Sequence, residues 1–299
     1  MRITDSIEDF KDYIATERRM AQGTVRNYMA DLQDLSAFLE PLGVADLQDL
    51  TARDIRSWQL AHIEKGESPG TVKRRLSSVG SWLRWLRSSG LFDADLMSKI
   101  ASPKQPKRKP VFFRISELEH LYDEGVFGND FVGQRDALML RMLYETGVRR
   151  SELIGLKESS VDLASFTIKV LGKRNKERII PIEKELAYNI SNYVALKREV
   201  ASSAEEWLFV TPQGCQMSTE QVYCIVRKYM KVLSNADRIS PHVFRHSFAT
   251  HMLKEGGELV AIKELLGHES LTTTEIYTHV TREQLKEVYK DAHPRGRKR

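Results

Sequence analysis

Arg149, His242, Arg245, His268 and Tyr277 occupy three short segments in the second half of the chain. These are TGVRRSEL (146–153), PHVFRHSFATH (241–251) and LLGHESLTTTEIYTHV (265–280). Arginine keeps its charge at any physiological pH and forks onto phosphate oxygens. Histidine donates to a further oxygen or moves a proton. A tyrosine hydroxyl can attack phosphorus and hold it covalently. Rich in cations, with one nucleophile and no metal-ligand cluster, the set suits transesterification of a DNA phosphodiester. Two arginines matter because the transition state at phosphorus carries more charge on its non-bridging oxygens than the ground state does, so preorganised cations lower the barrier selectively.

Each residue also has a plainer reading. Ser240 and Pro241 predict a helix capped by Ser240 with Pro241 in its first turn. His242 and Arg245 then lie one turn apart at the positive end of that helix, which favours phosphate. His242 could instead cap or pack. His242 and His246 share the spacing of two zinc ligands, but Val243 stands where zinc proteases carry their glutamate base. Arg149 follows Gly147 in a turn between two helices, where a surface arginine is the ordinary expectation. His268 follows Gly267 and could serve as a helix C-cap. Thr272 and Glu275 can open the helix that carries Tyr277. A tyrosine hydroxyl titrates near 10 in water, and neighbouring cations favour its charged form.

In order and separation, these segments resemble the tyrosine recombinases, the phage integrase family, and are most similar to its Xer branch (XerC and XerD). The resemblance covers nearly the whole chain and includes GKRNKERIIPI (172–182) and the ending AHPRGRKR (292–299). It implies that Arg149, in the TG-x-R-x-SE pattern, and Arg245 bind the scissile phosphate together with His242 and His268. Tyr277, in EIYTHV, would be the nucleophile. Glu152 would orient a guanidinium. The 5′-hydroxyl leaves poorly without a proton, and the family supplies one from a lysine in a β-hairpin. Lys173 takes that place here, with Lys176 as the alternative. Phe244, where leucine is usual, and Arg150, where a small or apolar residue is usual, depart from the pattern.

Charge distribution points the same way. Net charge is +5, which by itself says little. The clusters say more: Lys73, Arg74 and Arg75, with Arg84 and Arg87, on one predicted helix; Lys104, Lys107, Arg108 and Lys109 in a segment with no acid; and Arg295, Arg297, Lys298 and Arg299 at the end. Such clustering is the footprint of a DNA binder, although any single charge run is as often a solvated face.

The chain of 299 residues is long enough for two domains. No apolar run reaches the roughly 18 residues of a membrane span, MRITDSIEDF lacks a signal core, and Cys215 and Cys224 lack a metal-ligand spacing. A cytoplasmic, nucleoid-associated protein with two reduced thiols is expected. Residues 1–101 read as four amphipathic helices: one carrying Ile3, Ile7, Phe10 and Ile14; one after Thr24 stopped by Pro41 and Gly43; one opened by Thr51 and Asp54; and one opened by Ser68-Pro69-Gly70 and ended by Gly90. Residues 102–114, with three prolines, read as a basic linker.

Residues 115–299 read as mostly α with a small β-sheet. Ser116 and Glu119 are expected to form a capping box. A buried helix over 134–145 ends at Gly147, and another helix starts at Ser151. Residues 165–170 and 178–182 alternate as a hairpin around 172–175. Residues 207–211 suggest a further strand, and helices broken near Asn235, Gly256-Gly257 and Gly267 complete the chain. The fold class is therefore mainly α with a small β-sheet. The resemblance names its parts: an N-terminal four-helix SAM-like core-binding domain and a C-terminal mixed α/β catalytic domain, closing on the duplex as a clamp.

Exchange of one ester for another needs no ATP, metal or cofactor. The resemblance further implies two recombination sites, a Holliday junction, and a homotetramer or a heterotetramer with a second recombinase, in which Leu285, Val288 and Tyr289 suit packing on a neighbour. It also suggests chromosome dimer resolution at a dif-type site with an FtsK-type translocase. An integrase of a mobile element shares the chemistry, but the absence of an arm-binding domain before Ile3 favours the Xer role. Type IB topoisomerases usually carry lysine where His242 stands. A non-catalytic DNA-binding regulator could use 258–280 as a helix-turn-helix, yet has no need of Tyr277, Lys173 and both arginines.

Overall fold

The computed structural model describes residues 1–104, 111–123, 125–172, 176–200, 206–267 and 282–293, with the side chains of the last segment from Leu285 onward. The chain divides into two units, Met1–Arg108 and Lys109–Arg299. No described helix is long and apolar enough to cross a membrane.

The first unit is built from α1 (Ile3–Asp12, continued by a π turn at Tyr13–Glu17), α2 (Gln22–Leu39), α3 (Ala52–Glu64) and α4 (Pro69–Ser88). Thr51 accepts from the Asp54 backbone N–H while the Asp54 carboxylate accepts from that of Thr51, which fixes the start of α3. Ser68 caps α4 with Pro69 in its first turn. The second helix starts at Gln22, not after Thr24. Apolar residues at helical spacing, among them Phe10, Leu32, Leu35, Ile55, Trp58, Val79 and Trp82, are buried together.

One polar residue enters this core. Asp31 is buried on α2 and accepts from Arg74 Nη1 and Nη2 (2.5 and 2.8 Å), Arg75 Nη1 (3.3 Å) and Ser78 Oγ (2.7 Å). Arg75 also forks onto Glu67 through Nε and Nη2 (both 2.9 Å). A buried carboxylate is tolerated only when paired in this way.

The second unit surrounds α6 (Phe131–Thr146), most of whose residues are buried. Before it comes α5 (Ile115–Glu119), whose start differs from expectation: the Arg114 backbone N–H donates to Glu117 at 2.7 Å, so Glu117 and not Glu119 closes the first turn. After α6, Gly147 adopts the left-handed conformation and α7 (Arg150–Ile154) begins. A three-stranded antiparallel sheet follows in the order β1 (Val161–Asp162), β2 (Thr167–Leu171), β3 (Glu177–Pro181). The hairpin register pairs Leu171 with Glu177 and Val170 with Arg178.

Helix α8 (Lys184–Val200) was not anticipated. Its stripe of Leu186, Ala187, Ile190 and Tyr193 packs against α6. The strand expected over 207–211 is reduced to isolated bridges, Lys157 with Trp207 and Val210 with Gln216, because the chain turns at Thr211–Gly214. Helices α9 (Thr219–Leu233), α10 (Pro241–Lys254), α11 (Leu259–Leu266) and α12 (Arg282–Ala292) complete the unit.

Leu285 and Tyr289 of α12 do not await a neighbour. They are buried in their own unit, with Val288 packed beside them, and the Tyr289 hydroxyl donates to the Glu145 carbonyl at 3.0 Å. An apolar stripe on the same chain meets its groove at high effective concentration, so α10, α11 and β3 take it first.

Candidate active site

The turn at Gly147 places Arg149. A Cβ at Gly147 would lie 2.6 Å from Phe248 Cδ1 and 2.8 Å from Leu266 Cδ2, and φ is +60°, so only glycine fits between α10 and α11. Two residues later, Arg149 caps α7. Its backbone N–H donates to Glu152 Oε2 (2.8 Å) and its Nη1 to Oε1 (2.7 Å). From α10, buried Arg245 donates to the carbonyls of Gly147 (2.8 Å) and Leu266 (2.5 Å).

The end of α11 gathers these groups. Three consecutive carbonyls each receive a guanidinium: Leu265 from Arg178 Nε (2.8 Å), Leu266 from Arg245 Nη2 (2.5 Å) and Gly267 from Arg149 Nη2 (2.9 Å). The C-terminal carbonyls of a helix lack intrahelical partners and carry its negative dipole end, so they hold cations at fixed positions. Arg178 also forks onto Glu152, Nη1 to Oε1 at 2.9 Å and Nη2 to Oε2 at 2.8 Å.

Three guanidiniums around one carboxylate leave a positive surplus. Burial pushes the Glu152 carboxyl up, but the hydrogen bonds from Arg178 and from the Arg149 backbone outweigh it and hold it at about 2. Burial, then Arg149 and Arg178, bring Arg245 down to about 10, so it remains charged at pH 7. On the first turn of α10, the His242 ring is lowered by partial enclosure and by the field of Arg150, Arg245, Arg238 and Arg149. His242 is therefore a neutral imidazole at pH 7, able to donate one hydrogen bond and accept one proton.

Of the residues expected at the site, Arg149, Arg245 and Glu152 come together here, and the field of the two arginines reaches His242. Lys173, His268 and Tyr277 lie outside the described residues, as do Lys107, Arg108 and Lys109. The residues leading to two of them do reach the cluster. A Cβ at Gly172 would lie 3.6 Å from Arg178 Nη1 and 3.7 Å from Glu152 Oε1, and Gly267 accepts from Arg149. Lys176 is exposed, and its carbonyl accepts from the Gly172 N–H at 2.8 Å. In the first unit Lys73 and Lys104 are exposed, whereas Arg74 and Arg75 are committed to Asp31 and Glu67. Among the described residues no group of three His, Cys, Asp or Glu is placed to hold a metal.

Arg178 is the residue that reading the sequence missed. A signal was present: in ERIIP it alternates with Ile180, which is fully buried, so a charge stands on the inward face of a strand.

Comparison with known proteins finds similar sequences and folds. A family model described as "Phage integrase family" matches residues 114–284, and one described as "Phage integrase, N-terminal SAM-like domain" matches residues 7–90. The chain is 37% identical over 295 residues to the tyrosine recombinase XerC of Shewanella sp. (strain ANA-3), covering 98% of this chain and 96% of that protein. It is 35% identical over 295 residues to the tyrosine recombinase XerC of Corynebacterium efficiens, covering 99% and 93%. In fold it is similar to the XerH site-specific recombinase in a post-cleavage complex with palindromic difH substrate, with a TM-score of 0.69, 20% identity, and 94% and 93% of the two chains covered.

Proposed function

The chain belongs to the phage integrase family, as a tyrosine recombinase of its Xer branch, and from that premise we propose how its residues divide the work. Tyr277 attacks a DNA phosphodiester, forming a 3′-phosphotyrosine and releasing a 5′-hydroxyl. The phenolic proton passes to neutral His242, and Lys173 gives the leaving oxygen its proton. Arg149 and Arg245, with His268, bind the non-bridging oxygens as charge grows on them. Glu152 keeps the Arg149 guanidinium in place. The 5′-hydroxyl of a partner strand then reverses the step. One ester is exchanged for another, and no cofactor enters the balance.

The observation that carries this reading is the convergence of Arg149 and Arg245, from distant segments, on adjacent carbonyls at the end of α11. Cations fixed before substrate arrives need no reorganisation during reaction.

In this proposal the two units correspond to a core-binding domain over 1–101 and a catalytic domain over 115–299, joined by the basic linker 102–114. Lys73 and the linker residues Lys104, Lys107, Arg108 and Lys109 meet the duplex backbone, while Arg74 and Arg75 serve mainly to hold the first unit together. Four subunits act on two sites through a Holliday junction, as a homotetramer or with a second recombinase, in the cytoplasm on the nucleoid. Dimer resolution at a dif-type site, with an FtsK-type translocase, is the role the relatives' naming favours over that of a mobile element.

The test is a covalent trap. Wild-type protein incubated with nicked duplex bearing the dif-type site of the source genome should yield a protein–DNA adduct resistant to denaturant. Tyr277→Phe should bind the same duplex and yield none. An adduct in that variant would overturn the assignment of the nucleophile.

A further inference from the structure

We propose that Arg178 is a positioning residue for strand cleavage, the tie that holds Gly172 at the end of β2, the Arg149 clasp and the end of α11 in one geometry. The proposal rests on the reading above, in which Arg149 and Arg245 bind the scissile phosphate.

Arg178 makes three bonds to two elements. Nε donates to the Leu265 carbonyl, while Nη1 and Nη2 take the two oxygens of Glu152. Glu152 in turn holds both the backbone and the side chain of Arg149. Two glycines lie against the guanidinium, Gly267 tightly and Gly172 in ordinary contact. A Cβ at Gly267 would lie 3.2 Å from Arg178 Cδ and 3.3 Å from Nη1, and one at Gly172 3.6 Å from Nη1. Gly172 precedes Lys173 and Gly267 precedes His268. One side chain therefore lies beside both glycines.

Arg178 is not itself a phosphate ligand. Its side chain is 10% exposed and its fork closes on the charged Glu152 carboxylate, whereas the equally enclosed Arg245 donates to neutral carbonyls. Arg149, by contrast, is 33% exposed. The arrangement separates holding from binding. Arg178 neutralises Glu152 and so leaves Arg149 its positive charge for substrate. Without Arg178, Glu152 would compete with phosphate for Arg149, and the Leu265–Gly267 carbonyls would lose one of their three anchors. A displacement of about 1 Å at such a site costs about 100-fold in rate.

The experiment is single-turnover cleavage of the same nicked duplex by wild type, Arg178→Met and Arg178→Lys, with DNA affinity and thermal melting measured in parallel. Arg178→Met should bind DNA nearly as wild type does and cleave about 100-fold more slowly. The loss should fall on the cleavage rate while affinity holds, a split that a merely structural role would not produce. Should Arg178→Met melt below the assay temperature, Arg178→Lys decides. It keeps a charge, but lysine cannot fork onto Glu152 and reach Leu265 together, so cleavage should still drop at least about tenfold. Wild-type cleavage by either folded variant, or a loss of DNA affinity as large as the loss of rate, overturns the proposal while leaving the function intact. Failure of the wild-type protein to form any adduct would instead overturn the function, and this proposal with it.

Discussion

Arg149 and Glu152, three positions apart, form a closed clasp in which the backbone N–H and the guanidinium of the arginine meet opposite oxygens of one carboxylate at 2.8 and 2.7 Å. The same carboxylate thus caps α7 and aims the side chain expected to hold phosphate. The carboxyl is buried and stays ionised because Arg178 and the Arg149 backbone overcome the cost of burial, which places it at about 2 against 4.5 for a free side chain.

Glu152→Gln tests that clasp. The amide keeps the shape but presents N–H groups to two guanidiniums, and breaking a buried pair leaves charge uncompensated at a cost of about 3–5 kcal/mol. Urea unfolding should register a loss of that order, and cleavage should fall about 100-fold, as for loss of a preorganised charge contact. The depressed carboxyl also gives a sign for pH. Its contribution is complete above pH 4.5 and is lost as pH falls towards 2. Wild-type acid unfolding should steepen over that interval, and that of the variant should not.

Gly147→Ala separates crowding from backbone strain. Gly147 and Gly256 both have positive φ, +60° and +87°, but a Cβ at Gly256 meets nothing within 4 Å while one at Gly147 strikes Phe248 and Leu266. Alanine at Gly256 should cost only the left-handed penalty of about 1–2 kcal/mol. Alanine at Gly147 should cost more. It should also impair cleavage beyond its effect on DNA binding, because the Gly147 carbonyl anchors Arg245. Equal stability losses at the two positions would contradict the packing described.

His251 supplies a second pH dependence, remote from the clasp. It is buried on α10 beside the Tyr144 hydroxyl (3.2 Å), and burial followed by the charge of Lys254 lowers it to about 4. The folded protein therefore holds it neutral where the unfolded chain already takes up a proton. Stability is complete above about pH 6.5 and is lost as pH falls towards 4, by about 3 kcal/mol at 1.36 kcal/mol per unit. His251→Gln should flatten that interval in denaturant unfolding at a series of pH values. Other histidines contribute equally to both proteins, so identical slopes would refute the assignment.

Much of this architecture is legible in the chain itself, because its signals are local. Thr51 with Asp54, Ser68 with Pro69, and Pro241 after Ser240 mark helix starts, and alternation in 165–182 marks the hairpin. What local pattern could not supply is partnership at a distance. Arg178 meets a glutamate 26 residues away and a carbonyl 87 residues away. Arg74 and Arg75 look like outward charges until α2 brings Asp31 into the core beneath them, 43 and 44 residues off. Helix α8 went unread because its stripe includes Lys197, a buried charge that donates to Glu158 at 2.8 Å and to the Trp207 carbonyl.

The choice between Lys173 and Lys176 as the general acid can be decided by the leaving group. An alkoxide leaves slowly unless protonated, and loss of a positioned acid typically costs about 10²–10⁴ in rate. Lys173→Ala should therefore slow cleavage of ordinary DNA by about that factor. A 5′-bridging sulfur leaves as a stable thiolate and needs no proton, so the same variant should cleave a 5′-thio substrate nearly as fast as wild type does. Lys176 stands exposed at the base of the hairpin, where its carbonyl receives the Gly172 N–H. That bond belongs to the backbone and survives Lys176→Ala, so this variant should cleave both substrates normally. Sulfur rescue of Lys176→Ala alone would move the proton donor three residues along the chain.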